Sequence, residues 1–494
     1  MTTPKIVRIP SLKSNEAFRA HVQSLGIDLQ LEDRLSVGTD SALTQPLQCN
    51  GRSIGNRWAA HPMEGWDGTA TGGITDSMLR RWRRFGESGA KLIWGGEAMA
   101  VRPDGRANPR QLIITKENKA GLAELRKTLV EAHRQRWGRT DDLMIGFQLT
   151  HSGRFCRPTD QKTPEPRVAY RHPLLDPKTG VTEDGQVFSD DELKRLTEDY
   201  VEAAKIAADV GADFVDIKHC HGYLLHELLS AHTRPGIYGG PLENRARMLC
   251  EIVAGIRAYV PKLEIGVRLS AFDSVPYKPN PELTRPNRMG PGIPEDFSPY
   301  LPYRYAFGVN ASNPLESDLA EPTEFLTLLV NLGIKLVNLS AGSPYYTPHL
   351  QRPAIYPPSD GYEPPEDPLV GVARQINMVR TLKARFPQLI LVGTGYSYLQ
   401  EYLPQVAEYY MRNHHVDVVG VGRAMLSYPT ILAEATTMGK LDAGRICRTF
   451  SDCTTAPRNG LRSGCYPLDP YYKSLEDAVK LKASKAAKSC AAPN

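Results

Sequence analysis

The chain has 494 residues, of which 41% are hydrophobic and 23% charged, so it carries the apolar content of a packed core and not the profile of a disordered chain. A formal net charge of only +5, with bases and acids interleaved, gives no footing to a nucleic-acid partner. Eight cysteines are too few for a disulfide framework, no apolar run reaches a membrane span and the first residues lack a signal-like apolar region. The expectation is a cytoplasmic protein away from membranes.

Short apolar runs rich in β-branched residues recur along the chain: Asn56–His61, Lys91–Ala98, Leu143–Leu149, Asp213–Lys218, Glu264–Leu269, Lys335–Ser340, Leu389–Val392 and Val416–Val421. Stretches with helical spacing lie between them, among them Leu242–Tyr259, Thr323–Leu332 and Val372–Phe386. The clearest is Asp190–Val210, whose Ser189-Asp190-Asp191-Glu192 start reads as a cap with acids in the first turn. Eight β-then-α units predict an α/β protein, either a (β/α)₈ TIM barrel or an open parallel sheet. No glycine-rich dinucleotide fingerprint follows the first strand, which favours the barrel.

The chain exceeds a plain barrel, and the excess has an address. It lies after strand three (Ser152–Ser189), after strand five (the proline-rich Ala271–Glu321) and after strand six (Ala341–Asp367). All three are β-to-α loops on the catalytic face of such a barrel. They are expected to wall and cover a substrate pocket, oligomer contacts being the other use of such loops. Residues 1–50 read as an N-terminal extension, 51–440 as the barrel, and 441–494 as a cysteine-containing tail packing on or near it. Beyond Tyr472 the tail, with Cys490, reads as a frayed helix or a disordered end.

At the close of strand four, Phe-Val-Asp-Ile-Lys-His-Cys-His-Gly-Tyr (214–223) turns from apolar residues to Lys218, His219, His221 and Tyr223, then runs into Leu-Leu-His-Glu-Leu-Leu. After strands seven and eight stand Val392-Gly393-Thr394-Gly395 and Gly420-Val421-Gly422-Arg423, where glycines admit backbone amides to a phosphate and an arginine grips it. Further motifs are Ala60-His61-Pro62-Met63-Glu64, Gly95-Gly96-Glu97-Ala98, Gln148-Leu149-Thr150-His151-Ser152-Gly153-Arg154, Tyr238-Gly239-Gly240-Pro241-Leu242-Glu243-Asn244-Arg245 and Gly266-Val267-Arg268-Leu269-Ser270. In this order, over roughly residues 50–435, they resemble the Old Yellow Enzyme family of FMN-dependent ene-reductases and NADH:flavin oxidoreductases.

The resemblance implies a TIM barrel holding FMN, reduced by NADH or NADPH, that passes hydride to an activated alkene or related small molecule. It assigns Pro62, Met63, Glu64 and Ala98 to the flavin ring, Gln148 to its pyrimidine and Arg268 to the N1–O2 edge. Gly393, Thr394, Gly422 and Arg423 would take the phosphate. His221 and Lys218 would meet the substrate oxygen, and Tyr223 would donate a proton. His219 should pack behind the barrel, while His151 and Arg154 brace the loop after strand three.

Two departures stand out. Lys218 replaces the family's first histidine, and it has three outlets: pairing with Glu64, reading a carboxylate on the substrate, or snorkelling to solvent. In the tail, Cys447, Cys453 and Cys465 resemble the iron–sulfur branch related to dienoyl-CoA reductase and trimethylamine dehydrogenase. Cys447 is one position off register and a fourth local thiol is missing, so the expectation is no metal and no [4Fe–4S] cluster. The rival readings are that iron–sulfur flavoprotein and a barrel binding a phosphorylated ligand without redox chemistry. A homo-oligomer is compatible with either.

Overall fold

The computed structural model describes residues 6–285, 288–359 and 361–490, with side chains to 486. Eight strands form the frame: β1 (Trp58–Ala60), β2 (Leu92–Ile93), β3 (Met144–Thr150), β4 (Phe214–Ile217), β5 (Glu264–Ser270), β6 (Leu336–Ser340), β7 (Ile390–Gly393) and β8 (Val418–Val421). Each pairs in parallel with the next, and β8 pairs with β1, so the sheet closes on itself. A helix follows every strand: Asp76–Glu87, Lys119–Trp137, Asp190–Asp209, Arg247–Tyr259, Ala320–Asn331, Pro368–Arg385, Leu403–Arg412 and Ile431–Met438. This is the expected (β/α)₈ barrel.

The strands read as unbroken apolar runs because both their faces are covered, the outer by helices and the inner by other strands. All seven residues of β3 are buried. The helix after it starts where its sequence says: Ser189 and Glu192 form a capping box, each accepting from the other's backbone N–H. Inside the barrel, the amino-terminal half is apolar, with Leu92, Trp94, Met144, Phe214, Leu336 and Val418 in one cluster. A hairpin of Leu47–Cys49 against Arg52–Ile54 adds Cys49 and Ile54 to that cluster and floors the barrel. Polar side chains are left for the opposite end.

Two expectations need correction. Lys91–Ala98 is not one strand. Gly95 (φ +130°) and Gly96 (φ +58°) break it, and pairing resumes at Ala98–Ala100 against Gln148–Thr150. The break is built in, since a Cβ on Gly96 would sit 2.5 Å from the Trp82 ring. Beyond Tyr472 the tail, expected as a frayed helix or a disordered end, is helical over Glu476–Cys490 as far as the described residues go, after helices Asp452–Arg458 and Pro470–Lys473. The side chain of Cys490 lies outside the described residues.

Ion pairs moor this tail to the first barrel helix. Arg80 reaches Asp469 at 2.8 Å, and the buried Arg81 donates to the Ser463 carbonyl at 3.2 Å while pairing with Asp67 and Glu97. The N-terminal extension is moored as well, through helix Asn15–Ser24, whose Phe18 ring lies 4.3 Å from Tyr402.

Candidate active site

At the carboxyl end of the barrel the inward positions become polar, and a cavity opens over them. Its wall takes His61, Pro62, Met63 and Glu64 from the end of β1, Ala98, Gln148 from β3, Lys218, His221 and Tyr223 from β4, and Arg268 from β5. Thr394, Gly422 and Arg423 complete it from β7 and β8. Twelve of the thirteen candidate residues therefore converge. The exception is Gly393. It ends β7 facing Val416 and Tyr396, and the cavity is lined instead by Thr394 and Gly395, the latter at φ +92°.

Arg423 has no carboxylate partner among the described residues. Burial, and then the nearby Arg352 guanidinium, push its pKa down to about 9. Uncompensated cations facing one cavity form an anion site. Gly422 beside it is open, since an added Cβ would meet only the His61 Cβ at 3.7 Å. Gly420 is closed by contrast, because a Cβ there would fall 2.1 Å from the His61 ring. Arg268 is also without a carboxylate partner among the described residues, its buried Nε makes no hydrogen bond, and burial lowers its pKa. Among the described residues no carboxylate forms an ion pair with the Arg268 side chain, although the charge of Asp216 acts on it.

Asp216, one inward step before Lys218 on β4, organises the floor. Its carboxylate accepts from Gln148 Nε2 at 2.5 Å, Trp94 Nε1 at 2.8 Å and the Arg268 amide at 2.6 Å. An ionised carboxylate only accepts, so the Gln148 amide must turn its NH₂ to Asp216, which leaves Oε1 for the cavity. Burial raises the Asp216 pKa to about 6.

The strand ends in a sharp turn, with His221 (φ +67°) and Gly222 (φ +78°) both left-handed. A non-glycine residue held there costs about 1–3 kcal/mol. His221 is held by its N–H to Ser270 Oγ at 3.1 Å and by Ser343 Oγ donating to its carbonyl at 2.8 Å. Its Nε2 lies 3.1 Å from Ser340 Oγ, and burial, then Arg268 and Lys218, keep the ring neutral, with a pKa well below the usual range.

Lys218 is 4% exposed, which removes the snorkelling alternative. Its Nζ lies 3.5 Å from Glu64 Oε2 and 3.8 Å from the Tyr223 ring centre. Glu64 is the hub of this end. It accepts from Tyr223 Oη at 2.9 and 3.0 Å and from Trp66 Nε1 at 2.6 Å.

His219 faces outward against Phe325, and Arg154 is locked between Glu227 and Asp176, so both are structural as expected. His151 is likewise buried, its Nδ1 accepting from the Gly153 amide at 3.1 Å in the loop after β3.

Among the described residues of the three long loops, only those after β6 line the cavity, through Pro344, Tyr345, Gln351, Arg352 and Pro353. The outer wall comes instead from the tail, with Thr449, Cys453, Pro457 and Arg458 among its residues. Sequence reasoning missed Trp66, Asp216, Tyr345 and Arg352. Only Asp216 had a local signal, a carboxylate on the inward alternation of a buried strand. Burial raises the Cys465 thiol to about 12, with the nearby Cys447 and Cys453 adding to the rise. Among the described residues, no group of three or more His, Cys, Asp or Glu side chains is placed to hold a metal ion.

Residues 42–280 match the model of the NADH:flavin oxidoreductase / NADH oxidase family. An NADPH dehydrogenase of Clostridium acetobutylicum is 32% identical over 225 residues, 44% of this chain and 60% of that one. A 12-oxophytodienoate reductase 1 of Oryza sativa subsp. japonica is 32% identical over 134 residues, 26% and 34% of the two chains. The chain thus spans less than two thirds of the length of these curated relatives. Among solved structures, a 2-naphthoyl-CoA reductase complex superposes with TM-score 0.62 at 16% identity, over 87% of this chain and 57% of that one. Morphinone reductase superposes with TM-score 0.52 at 20% identity, over 82% and 91%. These two share the fold.

Proposed function

From the match of residues 42–280 to the NADH:flavin oxidoreductase / NADH oxidase family, we propose that the chain is a member of that family and an FMN-dependent oxidoreductase driven by NADH or NADPH. Its acceptor in this reading is an activated alkene or a related small molecule. The observation that carries the proposal is the pair of uncompensated guanidiniums, Arg423 and Arg268, facing one cavity with a cluster of titratable groups beside them. The donor set fits FMN. Arg423, Gly422, Thr394 and Gly395 would hold the phosphate, Gln148 Oε1 the pyrimidine N–H, and Arg268 the N1–O2 edge. Pro62, Met63 and Ala98 would offer flat contacts. Bound there, FMN supplies hydride exchange between a nicotinamide dinucleotide and the acceptor.

The protein's own groups then have defined work. Asp216 orients Gln148, and Arg268 favours negative charge at its end of the cavity. Tyr223 holds a proton at Oη for the substrate α-carbon. Neutral His221 can meet a substrate oxygen, and Lys218, neutralised by Glu64, does not read substrate charge. A cytoplasmic setting is part of the proposal, supported by seven free thiols among the described residues. An iron–sulfur cluster is not, because Cys447, Cys453 and Cys465 make three local thiols where four are needed.

The test is direct. Purified protein incubated with FMN should turn yellow and bleach on addition of NADPH or NADH. Protein that takes up no FMN refutes the reading and leaves the non-redox phosphate-binding barrel.

A further inference from the structure

Beyond the Tyr223 donor, the cavity contains a second phenol that the reaction as proposed does not use. Tyr345, from the loop after β6, places its Oη 2.9 Å from Tyr223 Oη. On its other side Tyr223 Oη faces both Glu64 oxygens, at 3.0 and 2.9 Å. Tyr223 is 2% exposed, while Glu64 and Tyr345 at the two ends of the row are both half-buried, so Tyr345 connects the buried Tyr223 hydroxyl with the open cavity.

Hydrogen-bond polarity gives this row a direction. The Glu64 carboxylate, paired with Lys218 at 3.5 Å, only accepts. The single Tyr223 proton therefore lies toward Glu64, and the Tyr223 oxygen accepts from Tyr345. The other groups facing Glu64 are the Trp66 indole, a donor only, and Cys220, whose thiol feels the Glu64 charge. His221 and Arg268 lie on the cavity wall beyond Lys218 and do not bond to Glu64.

We propose that Tyr345 is a proton-relay residue, resupplying Tyr223 with the proton that Tyr223 gives to the substrate, in a row whose direction Glu64 fixes. The inference rests on the functional reading above. As the substrate's α-carbon gains a C–H bond, the Tyr223 O–H bond breaks, and the hydride reaching the neighbouring carbon comes from the nicotinamide-driven activity already proposed. The Tyr345 O–H bond then breaks as a new one forms on Tyr223, and water reprotonates Tyr345. One solvent proton is consumed for each alkene reduced.

Resupply matters because a bare Tyr223 phenolate would stand 2.9 Å from the Glu64 carboxylate in a largely dry pocket. Burial, and then Glu64, already hold the Tyr223 pKa well above the ordinary phenol value. A donor so placed is weak unless its proton is replaced as it leaves.

Tyr345→Phe isolates the hydroxyl, since the ring keeps its stack on Phe155 at 4.0 Å. In FMN-loaded protein, stopped-flow measurement should show reduction by NADPH or NADH within twofold of wild type. Reoxidation by cyclohex-2-enone should fall at least 10-fold and show a larger solvent deuterium effect. It should recover as imidazole buffer is raised at constant pH, which a merely structural role would not produce. Wild-type reoxidation with an unchanged isotope effect overturns the relay.

Failure to load FMN, or to be reduced, falls on the functional reading instead. The relay is then decided on apoprotein by counting phenolates at 295 nm during alkaline titration. Glu64→Gln should bring two more tyrosines into titration below the wild-type range. Equal counts in the two proteins overturn it.

Discussion

Arg423→Met separates the energy of an anion site from the energy of the fold. Burial first and Arg352 second push the guanidinium's pKa from its ordinary value down to about 9. At 1.36 kcal/mol per pKa unit this is about 5 kcal/mol against the cation. Arg423 is only half-buried, and water in the cavity screens it, so a realistic penalty is about 1–3 kcal/mol. The sign follows from linkage. A base whose pKa is depressed by folding destabilises the fold at every pH below about 9, and the penalty is relieved only as pH rises from there toward the ordinary guanidinium value. Methionine keeps the apolar stem and removes the charge, so at pH 7.5 the apoprotein should be more stable to denaturant by about 1–3 kcal/mol. Ligand response should move the other way. Losing a charge-assisted contact costs about 1.5–3 kcal/mol, or roughly 10- to 150-fold in Kd for FMN. Stabilisation of the apoprotein by inorganic phosphate should shrink with it. Unfolding curves with and without phosphate and FMN, in both proteins, measure all of these. A variant less stable than wild type in the apo form, or equally responsive to phosphate and FMN, refutes the reasoning.

Asp216→Asn tests the floor. The buried carboxyl's pKa is raised from 3.8 to about 6, so its stability contribution is full below 3.8 and is lost as pH rises to about 6. Wild-type stability relative to the variant should therefore drop by about 3 kcal/mol between pH 3.5 and 7 in denaturant titrations. An identical pH slope in both proteins would show that Asp216 does not titrate in this window. Arg81→Met tests the tail. It leaves Asp67 and Glu97 buried without their shared cation, at about 3–5 kcal/mol, and frees the Ser463 carbonyl. Limited proteolysis should then cut within residues 440–470 faster than in wild type, and unchanged cleavage would show that the other anchors suffice.

The barrel was legible because the strands are short apolar runs, most of them β-branched, and the helices between them carry their own spacing, in one case with a capping box at Ser189, which are local properties. The site motifs were legible for a related reason. Residues at the carboxyl end of a strand are displayed by the strand itself, so Gln148, Lys218, Arg268 and Arg423 reach the cavity wherever the loops go. Alternation likewise sent Lys218 inward and His219 outward. Partnerships between strands were not legible. Asp216 orients Gln148 from a neighbouring strand, and the Glu64–Lys218 pair, although anticipated as one of three outlets, was chosen by the space left between β1 and β4. Least legible were the outer walls. The loops after β3 and β5 have the length and proline content of lids, yet the cavity is walled by the loop after β6 and by the tail. What brings the tail there is the burial of Arg81 between Asp67, Glu97 and the Ser463 carbonyl, a contact between residues 382 positions apart that no local pattern encodes.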